Sequence, residues 1–88
     1  MDVIYYLVFA HVKDVKIRGR IGNVAARNRA EAIEFAIDNF RKEANLKTSV
    51  HVFTKVVYET PDPQKADDYY HGFISLVEEE EAKNAPSN

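Results

Sequence analysis

The sequence contains no cysteine or tryptophan and only three glycines and three prolines in 88 residues. Without cysteine, the chain can form neither a disulfide framework nor a thiolate zinc site, and it has no cysteine nucleophile. This absence fits any compartment, and a cytoplasmic location is the most economical expectation. The first residues include no basic segment, and the apolar run ends at Val12. We therefore expect neither a signal peptide nor a membrane span.

Patterns typical of catalytic or metal sites are also missing. His11, His51 and His71 are separated by 40 and 20 positions, without the short spacing of a zinc motif. Asp67 and Asp68 are adjacent at the start of a predicted helix, where neighbouring side chains point apart, so they do not form an acid–base pair. The sequence therefore predicts a protein that is not an enzyme and that binds no cofactor or metal.

The composition is that of one small globular domain. Hydrophobic residues make up 45% of the chain and aromatic residues 11%, which is too much apolar surface for a disordered protein. A chain of this length buries roughly 60–65% of the surface that it exposes when unfolded, so its core is thin. We predict a single domain over residues 1–83 and a disordered tail over residues 84–88.

Three segments are predicted to be β-strands. Val3–Val12 is apolar at both alternating sets of positions, which is typical of a central strand covered on both faces. After a turn at Lys13-Asp14, Val15–Ala25 alternates between apolar and basic residues. Ser49–Glu59 alternates again, with Tyr58 predicted on the same face as the valines at 50, 52 and 56.

The first predicted helix begins after Asn28, a favourable N-cap with Glu31 three residues further on. Asn45 is a favourable stop. Between them, one face carries an apolar stripe at helical spacing, made of Ile33, Ala36, Ile37, Phe40 and Ala44.

The second predicted helix begins with Asp62 as N-cap and Pro63 at the first helical position. It has its own apolar stripe, made of Ala66, Tyr69, Tyr70, Phe73, Ile74 and Val77.

The predicted fold class is therefore α+β, in the order ββαβα. A right-handed helical crossover from the second strand to the third favours a three-stranded, mostly antiparallel sheet in the order 2-1-3. The first helix covers one face of this sheet, and the C-terminal helix covers the other face or an edge.

The net charge of −2 conceals a gradient, because residues 1–29 carry a net +4 and residues 60–88 a net −5. A basic face on the second predicted strand, with aromatic and basic residues of the third, could bind phosphates and stacked bases. The candidates for such a nucleic-acid interface are Lys16, Arg18, Arg20, Phe53 and Lys55.

The apolar stripe of the second helix allows a different interpretation. Five tyrosines in 88 residues suit a protein interface, where tyrosine is enriched. The stripe either packs over the basic sheet face or contacts another protein or a second copy of the chain. The candidates for partner binding are Tyr69, Tyr70, Phe73 and Val77.

In its size, its lack of a catalytic signature and its β-β-α-β plan, the chain resembles the small accessory proteins of phages and mobile elements that inhibit host machinery. This resemblance is one of architecture and implies no site residues. The expected function is that of a protein-binding module, an inhibitor or adaptor. The alternative is a nucleic-acid-binding domain that uses the basic strand face.

Overall fold

The computed structural model describes residues 3–84, with the side chains of residues 3–76. It contains three strands and two helices in the predicted order ββαβα. Their bounds are β1 (Ile4–His11), β2 (Arg20–Ala26), α1 (Arg29–Ala44), β3 (Phe53–Thr60) and α2 (Pro63–Asn84). The predicted α+β class is therefore confirmed. The tail predicted at 84–88 is not tested, since Asn84 ends α2 and residues 85–88 lie outside the described part.

The sheet has the predicted order, β2-β1-β3, with β1 antiparallel to both neighbours. The central strand is buried on both faces, as its doubly apolar sequence predicts. Tyr6, Val8 and Ala10 are buried on the side that packs against α1, while Leu7 and the half-buried Phe9 pack on the side of α2. The two helices therefore lie on opposite faces of the sheet.

α1 has the predicted ends. The N–H of Glu31 donates to Asn28 Oδ1 at 2.9 Å, and Asn45 ends the helix in the left-handed conformation. There the N–H of Leu46 donates to the carbonyl of Arg41 at 2.9 Å, which satisfies one of the last carbonyls of the helix.

The buried face of α1 is turned slightly from the predicted stripe. Ala36 and Phe40 are buried as expected, but the fully buried Ala32 was not part of the stripe, and Ile33 and Ile37 are only half-buried. Small side chains at 32 and 36 let the helix approach the sheet closely over Tyr6.

The second strand is shorter than predicted, because β2 begins at Arg20 rather than at Val15. The carboxylate of Asp14 accepts a hydrogen bond from the N–H of Lys16 at 3.0 Å, and the Asp14 carbonyl accepts one from the N–H of Ile17 at 3.1 Å. This turn takes the place of the predicted start of the strand. Val15 is 95% exposed, so the alternation there does not mark a buried face.

The third strand begins at Phe53, four residues later than predicted. Its pairing with β1 shifts between Leu7, which opposes Tyr58, and Val8, which opposes Val56, so Val57 is the extra residue of a β-bulge. The predicted face of Tyr58 is wrong for this reason. Tyr58 and Val57 both pack on the α2 side.

α2 begins as predicted, with Asp62 Oδ1 accepting from the N–H of Gln64 at 2.9 Å and Pro63 in first position. Ala66 is fully buried where the helix meets the sheet. Within the described part of the chain, no helix is both long enough and apolar enough to cross a membrane.

The packing of Phe40 leads to a stability prediction. Its side chain is 2% exposed and packs with Ala10, Val12 and Val52. Phe40→Ala should therefore lower the free energy of unfolding by about 3–5 kcal/mol, as measured by urea denaturation. Phe53→Ala is the control, because Phe53 is 43% exposed; it should cost no more than about 1 kcal/mol. A loss of no more than about 1 kcal/mol in Phe40→Ala as well would mean that Phe40 is not a core residue.

Candidate protein-binding edge of the sheet

The stripe predicted to bind a partner is largely in contact with the sheet. Tyr70 and Phe73 are half-buried and pack with the cluster around Leu7. Tyr69 is 37% exposed, but its ring stacks on that of Tyr58, with centroids 4.6 Å apart and planes at 5°. The side chain at position 77, the fourth candidate, lies outside the described residues.

The residues predicted to bind nucleic acid do not share a face. Lys16 and Arg18 lie in the loop before β2 instead of on the strand. Arg20 opposes Ala10 and therefore belongs to the α1 side of the sheet, whereas Lys55 opposes Phe9 and Phe53 opposes His11, on the α2 side. The expected basic strand face is thus corrected, because β2 starts five residues later than the sequence pattern suggested.

Phe53 belongs instead to a small group of rings at the start of β3. It stacks on His11 with centroids 5.3 Å apart, and the ring of His51 meets it edge-on at 4.6 Å. The third histidine lies on α2, where His71 Nε2 is 3.4 Å from a carboxylate oxygen of Asp67. Among the described side chains, no group of three or more histidine, aspartate or glutamate residues could hold a metal ion.

The most open feature of the described fold is the outer edge of β2. In the order β2-β1-β3, only one side of β2 is paired, so its other side presents unpaired backbone N–H and C=O groups. Arg20, Asn23 and Ala25 are exposed along it, and Gly22 is half-buried. A strand of another chain could pair here.

A groove of about 880 Å³ follows this edge from Arg20 to Val24. α1 contributes Asn39 and Glu43 to its walls, and α2 contributes Tyr70 and Phe73. Two of the residues predicted to bind a partner therefore line it, although their side chains also pack on the sheet. Apolar walls with a few polar groups suit an extended peptide.

Two ion pairs join α1 to the two ends of β2. Arg20, at the start of the strand, donates to Glu43 Oε2 at 2.9 Å. Arg27, just after the strand, lies 3.4 Å from Glu31 Oε2. Surface pairs of this kind contribute about 0–1 kcal/mol, so their main effect is to orient the side chains beside the edge.

These contacts identify the flank of α1 that lies along β2. Residues four apart are neighbours on the helix surface but differ by about 40° around the axis. The positions at this spacing from Glu31 to Glu43 therefore form a continuous row that winds gradually around α1. We call Glu31, Phe35, Asn39 and Glu43 the β2 flank. Phe35 is 44% exposed on it, which places an apolar ring next to the open edge.

The opposite edge of the sheet is protected. The bulge at Val57 interrupts β3, and the exposed Lys55 places a charge along it. Glu59 adds a carboxylate, which is paired with Arg29 of α1. Bulges and charged side chains are devices that prevent an edge strand from pairing with another chain. The pairing of β2 with β1 contains no bulge. The two edges of the sheet therefore differ in their capacity to accept a strand.

Sequence reasoning missed this site, although two signals pointed to it. The order 2-1-3 already places the second strand at an edge. The second signal is Phe35, an aromatic residue that lies off the predicted stripe of α1.

No protein-family model, no curated protein and no solved structure matches the chain.

Alanine substitutions at Gly19, just before β2, and at Gly22, within it, should have different effects on the free energy of unfolding. A Cβ added at Gly19 would lie 2.5 Å from Phe9 Cζ and 3.1 Å from the carbonyl oxygen of Ala10, so the neighbours would have to move. At Gly22 the nearest atom would be Val24 Cγ2 at 3.9 Å, an ordinary contact. Gly19→Ala should cost about 1–3 kcal/mol in the free energy of unfolding. For the single chain, measured at low protein concentration, Gly22→Ala should leave the free energy of unfolding unchanged or raise it by up to about 1 kcal/mol.

Urea denaturation of both variants and the wild type measures these differences. A Gly19→Ala variant as stable as the wild type would mean that the loop before β2 does not pack against β1 as described.

Proposed function

We propose that this chain is a protein-binding module that accepts an extended segment of its partner along the outer edge of β2. The observation that carries the proposal is the unprotected edge itself, with its groove between α1 and α2. In strand addition, backbone hydrogen bonds supply affinity and side-chain pockets supply specificity. The groove provides both kinds of contact, since β2 has unpaired backbone groups and Tyr70 and Phe73 line the walls. The proposal involves no chemical reaction.

Nucleic-acid binding, the alternative, has less support. Its five candidate residues are divided between a loop and the two faces of the sheet, so they do not form one basic strand face. Arg20 is moreover engaged with Glu43. The net charge of −2 also disfavours contact with a polyanion.

A displayed library of random linear peptides tests the proposal with the full-length chain immobilised at low density. We expect it to select peptides with alternating apolar and polar residues, the pattern of a strand with one face on the groove. Each selected peptide is then synthesised in two N-methylated forms, one methylated at the odd-numbered residues and the other at the even-numbered residues. In one of these forms the methylated nitrogens are those that face β2. This form should bind at least about tenfold more weakly, because methylation removes hydrogen-bond donors and adds bulk at the edge.

The other form, in which the methylated nitrogens face away from β2, is the matched control, and its affinity should change little. Equal tolerance of both methylation patterns, or no selected peptide for a chain that light scattering shows to be monomeric, would contradict strand addition. Single-stranded DNA is tested in parallel by fluorescence anisotropy. Micromolar binding that weakens steeply with salt and is lost in Arg18→Glu with Arg20→Glu would favour the nucleic-acid alternative.

A further inference from the structure

The sequence of β2 is complementary to itself. We infer that the segment accepted by β2 is the β2 strand of a second copy, so that two chains form a twofold dimer with one continuous six-stranded antiparallel sheet. This inference rests on the proposed function and names the partner at the same edge. Antiparallel pairing about a twofold axis is the only arrangement in which identical edge strands present the same surface to each other.

In one register of this β2–β2 pairing, the twofold axis passes through Asn23. Large side chains of one copy then oppose small side chains of the other. Asn23 then opposes Asn23 of the second copy, and either amide can donate to the other. Moving outward from the axis, every remaining position of β2 pairs a larger residue with a smaller one: Val24 with Gly22, Ile21 with Ala25, and Arg20 with Ala26. Pairs of this kind allow two sheets to join without steric conflict along the whole strand.

The space around Gly22 fits this register. A Cβ at Gly22 would meet only Val24 Cγ2 within 4 Å, so the surface above this glycine is open. Val24 of the second copy would lie directly opposite, on the same face as α1. Val24 is buried in the core of its own chain, so only the small exposed part of its side chain would face Gly22.

At each end of β2 the pairing brings two arginines near each other, and a carboxylate of its own chain offsets the charge of each. Arg20 of one copy comes close to the end of β2 in the other copy, where Arg27 follows the strand. Each arginine already has a carboxylate from its own α1, at Glu43 and Glu31 respectively. No two charges of the same sign oppose each other directly within the seven paired residues.

The β2 flank of α1 supports a second copy in particular. A twofold axis through Asn23 would bring the two flanks side by side on one face of the extended sheet. The exposed Phe35 of each copy would then lie near Asn39 of the other, between the acidic ends at Glu31 and Glu43. Such pairing would cover the most exposed aromatic ring of α1. Joining the sheets would also extend a thin three-stranded core to six strands, a common sheet size.

A charge-exchange experiment with the full-length chain tests the dimer and its register. The wild type should elute as a dimer, at twice the monomer mass of 10.1 kDa, in size-exclusion chromatography with light scattering. Asn23 is exposed, so both Asn23→Asp and Asn23→Lys should fold normally. Each variant alone places two like charges opposite each other on the axis, and its dimer should dissociate at least about tenfold more readily. An equimolar mixture of the two variants should recover the dimer, because opposite charges then meet.

Ser49→Asp and Ser49→Lys are the matched controls, since Ser49 is exposed in the turn before β3; both should remain dimeric. Circular dichroism confirms that each variant is folded. A dimer that is insensitive to Asn23→Asp and Asn23→Lys would overturn the inference, and so would variants whose mixture fails to recover it. A monomeric wild type that still binds selected peptides at β2 would also overturn the inference but leave the proposed function intact. A monomer that binds no peptide would contradict both.

Discussion

The structure depends on the burial of β1 on both faces. Tyr6, Val8 and Ala10 on one side and Leu7 on the other cannot face water without losing about 1.5–3 kcal/mol for each large side chain. Two separate helices must therefore cover the strand, one on each face. α1 reaches its face because it connects β2 to β3 across the sheet, and α2 reaches the other because it turns back after Thr60. Once β1 is central, β2 and β3 are necessarily the edges.

The two edges have different chemical characters, and this difference leads to the functional account. The bulge at Val57 and the charge of Lys55 restrict pairing along β3. β2 has small and uncharged residues over most of its length and begins with an arginine held by Glu43. An unprotected edge is usually a risk of aggregation. A specific partner that pairs with β2 removes that risk, which is a physical reason for the edge to be open.

Local signals in the sequence predicted most of the fold. The doubly apolar pattern of β1, the Asn28 and Asn45 caps and the Asp62-Pro63 start of α2 each act within a few residues, so they can be recognised without a structure. The start of β2 could not be predicted in the same way, because the turn at Asp14 competes with a pattern that looks like a strand. The bulge at Val57 was also missed, since a register shift depends on the partner strand rather than on the sequence of β3 itself.

The candidate site was less predictable than the fold. The apolar stripe with Tyr70 and Phe73 was recognised, but whether it meets the sheet or a partner depends on where α2 packs. Predictions for Lys16 and Arg18 relied on a strand that starts later than expected. Phe35 and the β2 flank become part of the candidate site only when α1 is placed beside β2, which requires tertiary contacts such as the one between Arg20 and Glu43.

Disulfide cross-linking tests the central claim, that β2 pairs with β2 about Asn23, most directly. The chain has no cysteine, so a single introduced thiol reports on one position. On the axis, the two copies of residue 23 would have their Cα atoms roughly 4.5–5.5 Å apart, within disulfide range. The two copies of residue 25 would be about 13 Å apart along the strands, which is too far.

Under mild oxidation, Asn23→Cys should form a covalent dimer on a non-reducing gel, while Ala25→Cys on the same strand should remain largely monomeric. Equal cross-linking of the two variants, or none in either, would contradict the account.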